Sequence, residues 1–176
     1  MAEPHGKLSP PRLVSASFRH FSLYNLKPKI DIDFPDGVFC LAGANGLGKS
    51  TFLLAINYAI TGRVPEPERP FISLDDYYNR TKDFATYFFD GRINEHDREL
   101  AEIEIQLRVG DWEVNLTRGM FDPDGLRSLW FEQEDGQLHQ VDGSPLQLQE
   151  KYRKEITGRV GLASFEQLVF LQHFVL

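Results

Sequence analysis

Disulfide chemistry is missing from this sequence, because it contains one cysteine, Cys40. A single cysteine cannot form an intrachain disulfide, so packing must stabilise the fold without a covalent framework. Such cysteine usage is typical of a reducing compartment. We therefore expect the chain to be cytoplasmic, or associated with the nucleoid if its source is prokaryotic.

Long hydrophobic runs are also missing. No apolar stretch approaches the roughly 18 to 20 residues that a helix needs to cross a bilayer, so we expect no membrane partner. Residues 1–12 are polar, carry Pro4, Pro10 and Pro11, and lack the apolar stretch of a signal peptide. We interpret them as a flexible leader in front of one lobe over residues 13–176.

An excess of positive charge is the third absence. The chain has 19 Lys and Arg against 26 Asp and Glu, a formal net charge of −7. Nucleic-acid-binding domains often carry a basic footprint, and the total charge gives none here. Phosphates respond to local patches more than to the sum, so composition neither supports nor excludes DNA binding.

A glycine-rich segment at residues 43–51 carries the chemistry of this sequence. Gly43, Gly48, Lys49 and Ser50 meet the fixed positions of the phosphate-binding pattern Gly-x4-Gly-Lys-Ser/Thr. Glycines let the backbone adopt left-handed angles and approach an oxygen-rich ligand closely. Their N–H groups then form an anion nest at the start of a helix, where the helix dipole favours negative charge.

The side chains of this loop predict a Mg-ATP site. Lys49 supplies a mobile positive charge for the β- and γ-phosphates. Ser50 offers its hydroxyl to Mg²⁺, and Thr51 supports the α-phosphate. A dinucleotide-binding turn is excluded, because the Gly-x-Gly-x-x-Gly spacing is absent.

The flanking segments have the order that this loop requires, which is strand, glycine loop and helix. Residues 38–42 are continuously apolar, as in a strand buried on both faces of a parallel sheet. From Lys49 the apolar residues recur at helical spacing until Gly62. Before the loop, residues 13–18 and 30–34 show strand patterns.

The middle of the chain divides into an irregular part and a plainly β part. Residues 63–98 are charged and irregular, and we predict an exposed insertion whose deletion leaves the core folded, with Ser73 and Thr81 each capping a short helix. Residues 101–142 alternate between apolar and polar, which predicts an antiparallel meander. Ser144 followed by a proline predicts the start of a helix that runs to about residue 156.

Hydrolysis also needs an acidic residue at the end of an apolar strand, where it holds Mg²⁺. Two apolar runs end in an acid, at Asp90 and at Glu132. The first lies in a predicted short helix and the second in the meander, so a solvated acid beside core-facing aromatics is the simpler interpretation for both. A self-contained P-loop kinase or small NTPase that uses Asp90 as its magnesium acid stays open as an alternative.

Three stretches of this sequence resemble the N-terminal ATPase lobe of the SMC/RecF/SbcC group. They are Phe18-Arg19-His20-Phe21, the strand that ends in Phe34-Pro35-Asp36-Gly37, and the Asn-Gly-x-Gly-Lys-Ser form of the loop. The resemblance covers residues 1–62, and it resumes in the meander and at Phe170-Leu171-Gln172, which looks like the family's Q-loop. It implies an α/β fold, the N-terminal lobe of an ABC/SMC-type P-loop NTPase, with a parallel strand–loop–helix core and an antiparallel meander.

The resemblance also implies roles for particular residues. Asn45, Gly46 and Gly48 would give backbone amides to the nucleotide. Gln172 would bind Mg²⁺ through its amide oxygen and help to place the attacking water, and Arg19 occupies the family's early basic position near the nucleotide. The sequence departs from the family pattern at Leu47, where a small residue is usual, and at His173, where many relatives have glycine.

Further implications concern partners. Heads of this group bind ATP and Mg²⁺ between two protomers, so the resemblance implies a homodimer. The remaining motifs lie in a C-terminal lobe that follows a coiled coil, and neither is present in this chain. Because Leu176 ends an apolar run, we expect a longer polypeptide. Double-stranded DNA and a nuclease or accessory subunit are the implied partners, in chromosome maintenance, repair or anti-phage defence. A nucleotide-sensing module without turnover is a third hypothesis.

Overall fold

One antiparallel sheet of six strands is the framework of the described chain, which covers residues 8–24, 29–37, 39–44, 46, 48–66 and 70–174 of a computed structural model. The strands are β1 (Arg12–Arg19), β2 (Lys29–Asp33), β3 (Glu102–Val109), β4 (Trp112–Gly119), β5 (Ser128–Glu132) and β6 (Leu138–Gln140). Their order across the sheet is β2-β1-β3-β4-β5-β6.

Four helices and two short 3-10 turns complete the described part. The helices are α1 (Lys49–Thr61), α2 (Leu74–Phe88), α3 (Pro145–Val160) and α4 (Phe165–Phe174), and the turns are Ser22–Tyr24 and Glu95–Asp97. Across the described ranges, no helix combines the length and the apolarity that crossing a bilayer requires. The chain is thus mixed α/β, as the sequence predicts.

The alternating pattern of β3 and β4 forms the centre of the core. Ile103, Ile105 and Leu107 are fully buried, while the residues between them are partly exposed. Gly110 takes the positive φ of 61° that the tight turn into β4 requires. This meander is confirmed, and β1 extends it by pairing antiparallel with β3.

Helix α1 lies against this sheet and fixes where the glycine loop ends. Ala55, Tyr58 and Ala59 are fully buried, and the Tyr58 hydroxyl donates to the carbonyl of Gly119 at 2.8 Å. Gly62 closes the helix in a left-handed conformation, with its N–H bonded to the carbonyl of Tyr58. The predicted helix from Lys49 to Gly62 is confirmed.

The predicted exposed insertion is wrong. Between residues 63 and 98, Val64, Ala85 and Phe89 are completely buried in the main core. The described residues of this region contain one α-helix, α2, instead of the two short helices predicted, and the Thr81 hydroxyl bonds back to the carbonyl of Tyr77 inside it. The buried positions of α2 recur at helical spacing, but the charged residues between them hide this pattern in the sequence.

The predicted parallel strand over residues 38–42 is also not formed. Residues 39–42 belong to no strand and are exposed, with 51% of the Phe39 side chain and 47% of Leu41 accessible; Val38 lies outside the described residues. A strand buried on both faces needs neighbouring strands on both sides. The described sheet is antiparallel throughout its named strands and supplies no such neighbours.

A buried guanidinium ties β4 to the end of α1 and to α3. Arg118 is fully buried and donates to the carbonyls of Ala59, Pro123 and Gly125, and its Nη2 donates to the Gln149 side chain at 2.8 Å. These acceptors are all neutral oxygens. Since a buried ion must be fully hydrogen-bonded to be tolerated, Arg118 and the loop it holds depend on each other.

We expect Arg118→Met to lower the free energy of unfolding by about 3 kcal/mol, because it leaves buried acceptors without donors. Urea denaturation measures this. Arg159→Met is the matched control, since Arg159 is 46% exposed and lies 3.8 Å from Glu155, and it should cost less than about 1 kcal/mol. Equal losses in the two variants would contradict the role assigned to Arg118.

Helix α4 is held to α2 through a partly buried histidine. His173 Nδ1 lies 2.7 Å from the Tyr77 hydroxyl, and its Nε2 is buried without a hydrogen-bond partner. Burial lowers the pKa of His173 from the ordinary 6.5 to about 4. The unfolded chain therefore binds a proton at His173 more readily than the folded chain does.

The lowered pKa of His173 makes the free energy of unfolding depend on pH. Between pH 6.5 and 4 the unfolded state carries more protons at His173, so the free energy of unfolding falls as the pH falls through this window. We expect His173→Gln, which can still bond to Tyr77, to reduce that fall by about 2 kcal/mol. Chemical denaturation at pH 7, 5.5 and 4.5 measures it, and identical slopes in wild type and variant would contradict it.

Candidate nucleotide-binding site

The glycine loop meets α1 at Gly48, and two of its described glycines take left-handed backbone angles there. Gly46 and Gly48 have positive φ angles of 83° and 81°, which residues with a side chain rarely adopt. Gly48 is the N-cap of α1 and offers no side-chain oxygen to the first turn. The first N–H groups of the helix are therefore left for a ligand.

The ammonium of Lys49 lies across the loop. Its Nζ donates to the carbonyl of Gly43 at 2.7 Å and to the carbonyl of Ala44 at 2.6 Å. Carbonyl dipoles are weaker partners for an ammonium than phosphate oxygens are, because the latter carry full charge. The lysine is thus placed at the mouth of the loop and can exchange these contacts for a phosphate.

Ser50 and Thr51 follow in the first turn of α1, where Ser50 is exposed and Thr51 partly buried. A serine hydroxyl at this position suits Mg²⁺, which prefers oxygen ligands and keeps several waters. Ser50 therefore offers one oxygen ligand of the kind that the predicted cation prefers. Asn45 and Leu47 lie outside the described residues, so their predicted roles stay predictions.

Tyr24, which the sequence analysis did not select, lines the cavity beside the loop. This cavity has a volume of about 170 Å³ and is lined by Tyr24, Leu41, Ala42, Gly43, Gly48, Lys49 and Phe52. The Tyr24 hydroxyl donates to the carbonyl of Gly48 at 3.0 Å. Burial raises its pKa to about 12, so the hydroxyl stays protonated at neutral pH. No local pattern around Tyr24 marks it, because the contact depends on a turn that folds back onto the loop.

Gln172 lies within helix α4 and not in a loop. Its side-chain nitrogen donates to Asn57 Oδ1 at 3.2 Å, while its Oε1 is buried without a partner. Asn57 is about two helical turns along α1 from Ser50. The structure thus brings Gln172 to α1 but not to the loop itself, and its role at the metal stays a prediction.

Arg19 is engaged with the sheet. Its guanidinium bonds to Glu102 at 2.9 Å and to Glu104 at 2.7 Å, both on the neighbouring strand β3. These contacts explain its position by cross-strand charge pairing. The predicted role of Arg19 near the nucleotide stays a prediction.

The two candidate magnesium acids make contacts away from the loop. Asp90 pairs with Arg98 at 2.6 Å, and Glu132 accepts the backbone N–H of Glu113 at 2.8 Å. Neither contact includes a residue of the glycine loop. The simpler interpretation given by the sequence, a solvated acid beside core-facing aromatics, agrees with the exposed position of Asp90, whereas Glu132 is only partly exposed.

An apolar groove of about 820 Å³ opens beside α1 and the exposed segment 39–42. Its apolar walls come from the sheet, from that segment and from α1, and they include Leu13, Ile32, Phe34, Phe39, Leu41, Phe52, Leu53 and Ile56. The Phe34 and Phe39 rings pack edge to face with centroids 5.4 Å apart. The described residues thus leave a large apolar groove beside the start of α1.

Comparison with known proteins identifies the family of this chain. A family model described as an AAA domain, AAA_23, matches residues 16–172, which include the glycine loop, the meander and Gln172. A search of curated proteins finds no significant match. The match extends through residues 63–98, where the sequence showed no resemblance, and through the sheet that packs against α1. It confirms the SMC/SbcC-like resemblance of the N-terminal lobe, and the chain belongs to this AAA domain family.

Proposed function

We propose that this chain is the ATP-binding lobe of an SMC/SbcC-like ATPase that dimerises around Mg-ATP and couples ATP binding and hydrolysis to DNA binding or processing. The observation that carries the proposal is the junction at Gly48 and Lys49. There a left-handed glycine opens the first turn of α1, and an ammonium lies across the loop carbonyls.

The loop's own residues account for binding. Backbone N–H groups of the first turn and the Lys49 ammonium meet the negative charge of the phosphates, and Ser50 holds the cation. When bound, Mg²⁺ draws charge from the phosphate oxygens and so supplies electrostatic stabilisation. Gln172 is proposed as a further oxygen ligand, which requires it to leave Asn57.

Hydrolysis requires groups that the described residues do not bring to the loop. The exposed segment 39–42 and the adjoining groove support a C-terminal ATPase lobe as their partner, attached through a coiled coil. Segment 39–42 is apolar and exposed, and β-strands from such a lobe would pair with its backbone and fill the groove with side chains. This accounts for an apolar run that the sequence marks as buried and the structure leaves exposed.

Homodimerisation of heads and contact with double-stranded DNA, together with a nuclease or accessory subunit, are proposed from the family alone. The net charge of −7 gives no general attraction for DNA. Recognition would depend on local patches or on the partner subunits. Chromosome maintenance, repair and anti-phage defence are all compatible with such a machine.

We expect Lys49→Ala to weaken Mg-ATP binding by about 10- to 100-fold, which corresponds to the loss of one charge-assisted contact. Isothermal titration calorimetry on this chain measures it. Lys151→Ala is the control, because the exposed Lys151 ammonium bonds to the carbonyl of Asp142 and not to a residue of the glycine loop. Unchanged affinity in Lys49→Ala would overturn the proposed function.

The alternative, a self-contained NTPase that uses Asp90, gives the opposite result in a second experiment. Because Asp90 pairs with Arg98 and not with the loop, we expect Asp90→Ala to leave Mg-ATP affinity within about twofold of wild type, and we expect the isolated chain to show no steady turnover of ATP. Phosphate release measures the turnover. Turnover by this chain alone that Asp90→Ala abolishes would establish the alternative.

A further inference from the structure

The 3-10 turn Ser22–Tyr24 lies directly against the last glycine of the phosphate loop. A Cβ atom on Gly48 would meet Leu23 Cδ2 at 2.8 Å and Tyr24 Cε1 at 3.3 Å. The turn therefore packs on the loop backbone without room for a side chain. Gly48 serves two purposes here, since its φ of 81° also requires glycine.

The Tyr24 ring is fixed by its aromatic neighbours. It stacks on Phe21 with centroids 5.1 Å apart, and it meets Phe18 and Phe52 edge to face at 6.2 and 6.5 Å. A ring held on several sides loses little further freedom when its hydroxyl forms a hydrogen bond. The bond from the Tyr24 hydroxyl to the Gly48 carbonyl is thus pre-organised.

The turn itself is anchored to the core. Ser22 is buried, and its hydroxyl donates to Asp97 Oδ2 at 2.8 Å and accepts the backbone N–H of Asn94 at 2.8 Å. Asn94 and Asp97 belong to the segment that follows α2. A continuous set of contacts therefore runs from this segment through Ser22 and Tyr24 to Gly48.

Planarity of the peptide unit converts this contact into an orientation of the loop. The Gly48 carbonyl accepts both the Tyr24 hydroxyl at 3.0 Å and the helical N–H of Phe52 at 2.9 Å. In a trans peptide the C=O and the following N–H point in opposite directions. Holding the Gly48 carbonyl toward Tyr24 and Phe52 therefore directs the Lys49 N–H the other way, out of the first turn, where an anion binds.

We propose that Tyr24 is a positioning residue of the nucleotide site, which orients the Gly48–Lys49 peptide so that its N–H faces a bound polyphosphate. The inference rests on the proposed function, since it assigns a residue to the same loop. It goes beyond the motif, because Tyr24 lies 24 residues before Gly48 in the chain. The ligand chemistry it serves is the phosphate tail, and not the base or the sugar.

Tyr24→Phe tests this, because it keeps the ring and removes the hydroxyl. We expect affinity for Mg-ATP and for inorganic tripolyphosphate with Mg²⁺ to fall by the same factor, about three- to tenfold. The thermal midpoint without ligand should stay close to that of wild type. Tyr87→Phe is the matched control, since Tyr87 is 51% exposed on α2, and it should change neither affinity.

Other outcomes separate the possibilities. A lower thermal midpoint with both affinities unchanged would assign Tyr24 a structural role only and would overturn the inference. A loss of affinity for ATP with unchanged affinity for tripolyphosphate would also overturn it. If Tyr24→Phe fails to fold, Ser22→Ala is the second variant, because it releases the turn from Asp97 and Asn94. It should lower the affinities for Mg-ATP and tripolyphosphate by the same factor. Unchanged affinities in Ser22→Ala would overturn the inference. Unchanged ATP affinity in Lys49→Ala would instead contradict the proposed function itself.

Discussion

The start of helix α1 is the constraint on which the rest of this structure depends. Gly48 takes a left-handed conformation there, Lys49 bonds back to the carbonyls of Gly43 and Ala44, and Tyr24 bonds to the Gly48 carbonyl. These contacts lie next to the first backbone N–H groups of α1, which have no acceptor within the helix. The sheet and the 3-10 turn place the helix and the tyrosine so that this arrangement is preformed, which would lower the cost of binding the proposed phosphate ligand.

An exposed apolar segment lies next to that junction. Residues 39–42 lead directly into the loop, and they are exposed although their sequence is that of a buried strand. Any partner that pairs with this segment also acts on the backbone that enters Gly43. Nucleotide binding and lobe assembly would therefore share one short stretch of chain, which gives a physical route for coupling them.

Helices α2 and α4 form a second connection to the site. Tyr77 of α2 bonds to His173 of α4, and the adjacent Gln172 bonds to Asn57 of α1. The region between α1 and β3 is thus part of the core and contacts the helix that carries Gln172. Its charged surface concealed this in the sequence, because burial of Val64, Ala85 and Phe89 depends on long-range packing and not on any local run of apolar residues.

The sequence by itself determined the glycine loop, the helix that ends at Gly62 and the β-meander, because each depends on local rules: left-handed glycines, 3.6-residue periodicity and alternation about a tight turn. Tertiary structure alone decided that Tyr24 contacts Gly48 and that Gln172 bonds to Asn57, since the two residues of each pair are far apart in the chain and no local pattern encodes the contact. The apolar run at 38–42 depends on both the sequence and the tertiary structure. Its composition specified burial, but a strand is completed by its neighbours, and the described sheet places none beside residues 39–42.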